Sequence, residues 1–158
     1  MKRNLFILLT VAVLTVPALR AYSHCEVPCG IFDDKLRIAL IKEHITTIEK
    51  SIKQITELSA ATPVNYNQIV RWTTTKDDHA DEIQHIASQY FITQRIKPVD
   101  PSDAENYKKY ITQLSLMHEL MIYAMKAKQT TDLANIEKMR EIVTKFELAY
   151  FGEEEHKH

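Results

Sequence analysis

Apolar residues recur at helical spacing along most of this chain, beginning at Asp33. In the first periodic stretch they are isoleucines separated alternately by four and three residues: Ile41, Ile45, Ile48, Ile52 and Ile55. This spacing is typical of the buried seam of a helix that packs nearly parallel to its neighbours. Asp33 or Asp34 can cap the start of this helix, and we predict its end near Leu58.

A second helix is predicted after a linker that contains Pro63, with Asn65 or Asn67 at its start. Its stripe of inward positions runs through Ile69, Trp72, Lys76 or Ala80, Ile83, Ile86 or Ala87, Tyr90 and Phe91. The spacing predicts one continuous helix, with Lys76 and His79 as polar members near the stripe.

A third helix is predicted after a loop that contains Pro98 and Pro101, with Ser102 or Asp103 as its cap. Its stripe is aromatic and methionine-rich: Tyr107, Tyr110, Ile111, Leu114, Met117, Met121 and Met125. A lining for a cofactor would have a similar composition, but such a stripe at helical spacing is far more often plain core. We therefore predict that these residues are buried in the protein interior.

The fourth periodic stretch follows Thr130 and ends at Gly152, which can close a helix. Its stripe contains Leu133, Ile136, Met139 or Arg140, Val143, Phe146 and Tyr150. Four helices of similar length joined by short loops predict an all-α fold, an up-down-up-down four-helix bundle over residues 33–152. The charged tail at residues 153–158 is predicted to be solvated.

Composition supports the helical prediction and narrows the function classes. The chain of 158 residues contains only 2 glycines, which disfavours a fold built on tight sheet turns. Its 20 basic residues against 21 acidic ones give a formal charge of -1. This balance carries no signature of nucleic-acid binding.

The first 23 residues resemble a cleaved export signal. Lys2 and Arg3 precede an apolar run that ends near Leu19, and Ala21 and Ser23 are small residues placed for signal peptidase. The run is shorter than the roughly 20 residues that span a bilayer. We predict cleavage after Ser23 and no membrane attachment afterwards. The mature chain would then hold 17 basic and 21 acidic residues, a formal charge of -4, so an anionic substrate would depend on local charge.

Both cysteines lie just beyond this cut, at positions 25 and 29. A Cys25–Cys29 disulfide suits an exported protein, but it would close a very small loop at a chain end. A structural zinc site normally needs four protein ligands, and no second pair is present. The other histidines of the helices occur singly, and we interpret each as a partly exposed or satisfied helix histidine and not as a ligand: His44, His79, His85 and His118.

A third interpretation depends on the cut. As the N-terminal residue, His24 would offer its α-amine and imidazole beside the amide nitrogen of Cys25 and the thiolates of Cys25 and Cys29. Two nitrogens and two sulfurs in a plane suit Ni(II) or Cu(II), with the imidazole left for an axial position. Pro28 restricts the loop, and Gly30 permits a turn without a Cβ clash. We refer to residues 24–32 as the hook.

The hook sequence, HCEVPCGIF, resembles the N-terminal pattern H-C-x-x-P-C-G-x-Y of nickel-containing superoxide dismutases and matches every specified position except the last. The resemblance implies a four-helix bundle that assembles as a homohexamer, with one nickel ion per subunit. The ligands would be His24, Cys25 and Cys29, and superoxide would be converted to dioxygen and hydrogen peroxide. The Ser88-Gln89-Tyr90-Phe91 segment resembles the family's S-x-Y-F segment, which implies a catalytic position for Tyr90 beside the metal pocket.

The chain departs from the family pattern in two places. Phe32 stands where the family has a tyrosine, whose hydroxyl orders water near the metal. The family's glutamate and arginine that support the axial imidazole have no clear counterpart, since simple alignments place Ala39 at the first position and His79 or Lys76 at the second. The ligands are thus retained, while the residues that orient them differ.

Two alternatives to the enzyme stay open at this stage. One is an exported helical binding protein with a Cys25–Cys29 disulfide, and the other is a nickel or copper carrier without turnover. The leader predicts a periplasmic or other extracytoplasmic address and a maturation protease as a partner. If the leader is only a propeptide, the address is cytoplasmic.

Overall fold

The computed structural model describes Pro28 and residues 30–152, and within this range the chain contains four long helices and no strand. We number the elements α1 to α4 in chain order. The second α-helix continues directly into a π-helical segment. Their bounds are α1 Asp34–Ala60, α2 Tyr66–His85, the π segment Ile86–Arg95, α3 Ala104–Gln129 and α4 Ala134–Phe151. The predicted all-α class is confirmed.

The helices form a bundle in which neighbours along the chain are also neighbours in space. α1 packs against α2, α2 against α3 and α3 against α4, and α4 closes the bundle against α1. The start of α1, the end of the π segment and the end of α4 therefore meet at one end of the bundle. None of the helices in the described part is long and apolar enough to span a membrane.

The isoleucine seam of α1 is buried along its full length, as predicted, from Ile41 to Ile55. The helix begins where a carboxylate oxygen of Asp33 accepts a hydrogen bond from the Leu36 backbone nitrogen at 2.9 Å. Asn65 and Asp103 cap α2 and α3 in the same way. Each of these side chains satisfies an amide that lacks a partner in the first turn.

The predicted stripe of α3 is wrong in part. Ile111 and Met125 are each 39% exposed, whereas Met117 is buried as expected. The inward face is instead made by Gln113, Met117, Leu120, Ala124 and Ala127. These positions also alternate by four and three, but small and polar members hide the periodicity from a hydrophobic count. Gln113 is accommodated because its side-chain nitrogen donates to the Ala149 backbone oxygen at 3.0 Å.

In α4 the inward residues agree with the prediction except at the start. Ile136, Met139, Val143 and Phe146 are buried, while Leu133 precedes the first turn and is exposed. Gly152 ends the helix with a φ of 86°, a conformation that side chains with a Cβ rarely adopt.

The second helix is not uniformly α-helical, which the periodicity did not indicate. Over Ile86–Arg95 the hydrogen bonding shifts to partners five residues apart, ending with the Ile96 nitrogen on the Phe91 oxygen at 2.8 Å. Thr93 also donates its hydroxyl to the Ser88 backbone oxygen. Tyr90 and Phe91 remain buried, as predicted. π-helical segments are uncommon and often occur at functional sites.

Candidate metal centre

The base of the hook forms a tight turn. The Ile31 nitrogen donates to the Pro28 oxygen at 3.2 Å, and Gly30 has a φ of 93°. That φ lies in the left-handed region, so a side chain at position 30 would strain the turn. The predicted ligands His24, Cys25 and Cys29 lie outside the described residues, and their role remains a prediction.

After this turn, Phe32 packs against the π segment. Its ring meets the Tyr90 ring edge to face, with centroids 5.8 Å apart and an interplanar angle of 80°. The Arg95 guanidinium also lies over the Phe32 ring, 4.4 Å from its centroid. Aromatic and cation–π contacts of this kind hold a side chain in a defined orientation. The residue that replaces the family's tyrosine is thus fixed between Tyr90 and Arg95.

Asp34, two residues further on, joins three elements through its carboxylate. It accepts hydrogen bonds from the Tyr90 hydroxyl at 2.6 Å and the Tyr150 hydroxyl at 2.8 Å. Arg95 donates to the same carboxylate through Nε at 2.8 Å and through a terminal nitrogen at 2.7 Å. We refer to these residues, Asp34, Tyr90, Arg95 and Tyr150, as the Asp34 cluster. The cluster ties the start of α1 to the π segment and to the end of α4.

The cluster also sets the charge state of its members. Burial acts to raise the pKa of Asp34, but hydrogen bonds from Arg95, Tyr90 and Tyr150 outweigh it and lower the pKa below its usual value. Burial, and then the hydrogen bond to Asp34, raise the pKa of Tyr90 and of Tyr150 to about 12. At neutral pH the carboxylate is therefore ionised, while both phenols are protonated and donate to it.

Sequence reasoning identified Tyr90 but not its partners. Asp34 was weighed only as a cap for α1, and Asp33 takes that role, which leaves the Asp34 carboxylate for other contacts. The sequence predicts Tyr150 only as an inward residue of the fourth helix and gives no signal for Arg95. Nothing in it links either residue to Asp34, because they lie 116 and 61 residues away. Only the closure of the bundle brings them together.

The positions suggested for supporting the axial imidazole lie in different surroundings. Ala39 is exposed on α1. Lys76 is buried, and its amino group donates to the backbone oxygens of Ala127 at 2.8 Å and Lys128 at 2.6 Å. Those carbonyls end α3, at the opposite end of the bundle from the hook. Lys76 thus serves as a partner for the end of α3.

His44 and His79 are partly buried helix histidines with hydrogen-bond partners, as the sequence predicts, and each is the partner of the other. Their Nδ1 atoms are 2.7 Å apart, so one ring donates a hydrogen bond to the other. Burial, and then the neighbouring His79, lower the pKa of His44. The pair links the middle of α1 to α2. In the part of the chain that the structure describes, no group of three or more His, Cys, Asp or Glu side chains is placed to hold a metal ion.

Comparison with known proteins concerns almost the whole chain, including the hook and the helices. No curated protein and no solved structure matches the chain. A family model described as nickel-containing superoxide dismutase matches residues 19–154, a range that includes the hook and all four helices. Nothing in the comparisons or the structure favours a helical binding protein or a metal carrier. The chain therefore belongs to the nickel-containing superoxide dismutase family, and it is a nickel-dependent oxidoreductase that converts superoxide to dioxygen and hydrogen peroxide.

Proposed function

We propose that the nickel ion of this enzyme is held by the hook after the chain has been cut in front of His24. The donors are the α-amine and imidazole of His24, the amide nitrogen and thiolate of Cys25, and the thiolate of Cys29. This set would fit the metal, since Ni(II) accepts mixed nitrogen and thiolate donors. The main support is the hook sequence, which lies within the range that the family model matches. The described base of the hook adds a left-handed turn at Gly30 that leads into Phe32, packed on Tyr90.

When bound, nickel supplies the one-electron exchange by which two superoxide ions and two protons become dioxygen and hydrogen peroxide. The protein's own residues shape the space beside it. The buried Tyr90 hydroxyl donates its proton to Asp34 and its ring contacts Phe32, so this phenol is held in a fixed position beside the base of the hook. We assign Tyr90 to the aromatic wall beside the hook, where it supports the ring of Phe32.

The ligand assignment is tested on purified mature protein by intact-mass measurement, nickel analysis and superoxide decay. We expect a chain that begins at His24 with about one nickel per subunit, and Cys29→Ser should lose both nickel and activity. Glu26→Gln is the matched control, because it changes the hook without removing a proposed donor, and it should keep its nickel. Residues retained ahead of His24 in active protein would contradict the assignment, because they would block the α-amine.

We further propose that residues 1–23 are an export signal and that the mature enzyme works in the periplasm or another extracytoplasmic space. The support is the positive start, the apolar run and the small residues before the cut. Leu9→Arg should interrupt the apolar run and leave full-length precursor in the cytoplasm, whereas Thr10→Ser should be exported normally. Cytoplasmic L9R protein cut in front of His24 would instead indicate a propeptide removed by a cytoplasmic maturation protease.

For the assembly we propose a homohexamer, on the strength of the family membership. The surface around the base of the hook is suited to contacts between subunits, since Ile31 is 84% exposed and Leu36 is half exposed. Native mass spectrometry of the nickel-loaded enzyme should give six subunits and six nickel ions. A monomer or dimer at micromolar concentration would contradict this proposal without affecting the ligand assignment.

A further inference from the structure

Two arginines lie beside the base of the hook, and their electrical surroundings differ. Arg95 forms a two-point ion pair with Asp34, so its charge is largely cancelled at close range. Arg37, one turn into α1, places its guanidinium 5.0 Å from the centroid of the Tyr90 ring. Within the part of the chain that the structure describes, no carboxylate forms an ion pair with Arg37. Its positive charge is therefore available to a passing anion.

The position of Arg37 relates this charge to the hook. The Tyr90 ring contacts Phe32, the last residue of the hook, and also the Arg37 guanidinium. The cation therefore lies beside the aromatic pair at the base of the hook. The cation–π contact orders a long side chain that would otherwise move freely in solvent. Two further charged residues lie at the start of α1: Asp33, which caps the helix, and Lys35, whose amino group lies over the Phe151 ring.

A local cation matters in this chain because the mature protein would carry a formal charge of -4. Its overall field repels superoxide, so encounter depends on the charges nearest the hook. Superoxide dismutases as a class work near the diffusional ceiling, where the encounter rate limits turnover. We propose that Arg37 guides superoxide to the hook, while Arg95 positions Phe32. The proposal rests on the hook as the nickel site.

The test is the second-order rate constant for superoxide decay, per bound nickel, measured across ionic strength. At low salt, Arg37→Gln should lower this constant about twofold and Arg37→Glu about fourfold, since one charge at about 10 Å in water changes an anion's local concentration by about that factor. Arg37→Lys should stay near the wild-type value. The differences should vanish toward 0.3 M salt, where the Debye length falls to several ångströms.

Arg71 provides the matched control, because it is an exposed arginine on the N-terminal half of α2. It lies more than about 20 Å from Tyr90 along the helix axis. Arg71→Gln and Arg71→Glu make the same changes in net charge and should have clearly smaller effects. If R71E slows the reaction as much as R37E, net charge controls encounter and the proposal is overturned. A loss in R37Q that persists at high salt, or loss of nickel from R37Q, overturns it as well, because Arg37 would then act through structure.

The hook assignment is tested separately in the same series by Cys29→Ser. If C29S retains nickel and activity, the hook is not the metal site, whatever the salt dependence of the Arg37 variants. If C29S loses nickel while R37Q and R37E keep the wild-type rate and salt dependence, the hook stands and the guiding role of Arg37 alone is wrong.

Discussion

Asp34 is the residue on which the hook end of the bundle depends most. Its side chain is 14% exposed and binds Arg95, Tyr90 and Tyr150 at once. A carboxylate has enough lone pairs for all of these donors and carries the charge that balances Arg95. A substitution of Asp34 therefore removes contacts that join α1, the π segment and α4.

We expect Asp34→Asn to lower the free energy of unfolding by about 2 kcal/mol, because an amide neither balances the charge of Arg95 nor accepts hydrogen bonds from all three side chains. The partial exposure of the group keeps this loss below that of a fully buried ion pair. Urea unfolding of the mature protein at pH 7 measures the change. In the control Asp81→Asn, the carboxylate is 59% exposed in a surface pair with Lys128, and the loss should stay below about 0.5 kcal/mol. Equal losses in the two variants would contradict a special role for Asp34.

The His44–His79 pair predicts acid sensitivity. The hydrogen bond between the two Nδ1 atoms requires at least one neutral ring, and the pKa of His44 is lowered in the folded protein. A histidine with a lowered pKa contributes stability that is present above its unfolded pKa of about 6.5 and is lost as the pH falls through the folded value. The free energy of unfolding should therefore decrease as the pH falls below about 6.5.

Thermal unfolding at a series of pH values between 8 and 5 tests this expectation. His44→Gln removes the group with the lowered pKa and should flatten the decrease in this interval. His85→Gln, an exposed histidine at the end of α2, should keep the wild-type dependence. An unchanged slope in H44Q would show that other groups cause the acid sensitivity.

At the scale of elements, the starts of α1, α2 and α3 and the end of α3 are satisfied by side chains of two kinds. The N-terminal caps are local, with Asp33, Asn65 and Asp103 each bonding an amide three residues ahead. The end of α3 is served from a distance, since the buried Lys76 of α2 donates to the Ala127 and Lys128 carbonyls. A cation at a helix C-terminus is also stabilised by the negative end of the helix dipole.

We expect Lys76→Met to lower the free energy of unfolding by about 2 to 3 kcal/mol, because it keeps the aliphatic stem but leaves buried carbonyl oxygens without their donor. Chemical denaturation monitored by far-UV circular dichroism gives this value. Lys108→Met is the control on an exposed face of α3 and should change stability by no more than about 0.5 kcal/mol. A similar small change in K76M would show that water or other groups satisfy these carbonyls.

The π segment determines how the second helix reaches the hook. It carries Tyr90 into contact with Phe32 and ends at Arg95, whose guanidinium binds Asp34 and covers the Phe32 ring. The last backbone bond of the segment, from Ile96 to Phe91, marks where helical structure stops. The only unusual helical element among the described residues is thus the one that supplies two members of the Asp34 cluster.

At the scale of the whole molecule, the proposed nickel ligands lie outside the sequence range that forms the buried core. The buried core of the described residues extends from Ile38 to Phe146 and does not include the base of the hook. The proposed ligands are also confined to six consecutive residues, so an unfolded chain can bind nickel almost as well as a folded one. A ligand that binds both states equally does not stabilise the fold.

Removal of nickel should therefore change the free energy of unfolding of the bundle by less than about 1 kcal/mol, although it abolishes activity. Urea unfolding of the nickel-loaded and chelator-treated enzyme, followed by helical circular dichroism, makes the comparison. A loss of several kcal/mol would mean that the bundle itself contributes to holding the metal, and it would contradict a self-contained hook.

The sequence by itself determined the helices, the isoleucine seam of α1 and the family pattern of the hook, and it narrowed the caps of α1, α2 and α3 to two residues each. Each of these features depends on residues only a few positions apart. The matched family confirms the helical fold and nickel chemistry that this pattern implied. Tertiary structure alone decided which face of α3 is buried and where the second helix turns from α to π. It also decided that Asp34 joins Tyr90, Arg95 and Tyr150, and that His44 meets His79. These contacts join residues 35 to 116 positions apart, and the packing of helices against one another creates them.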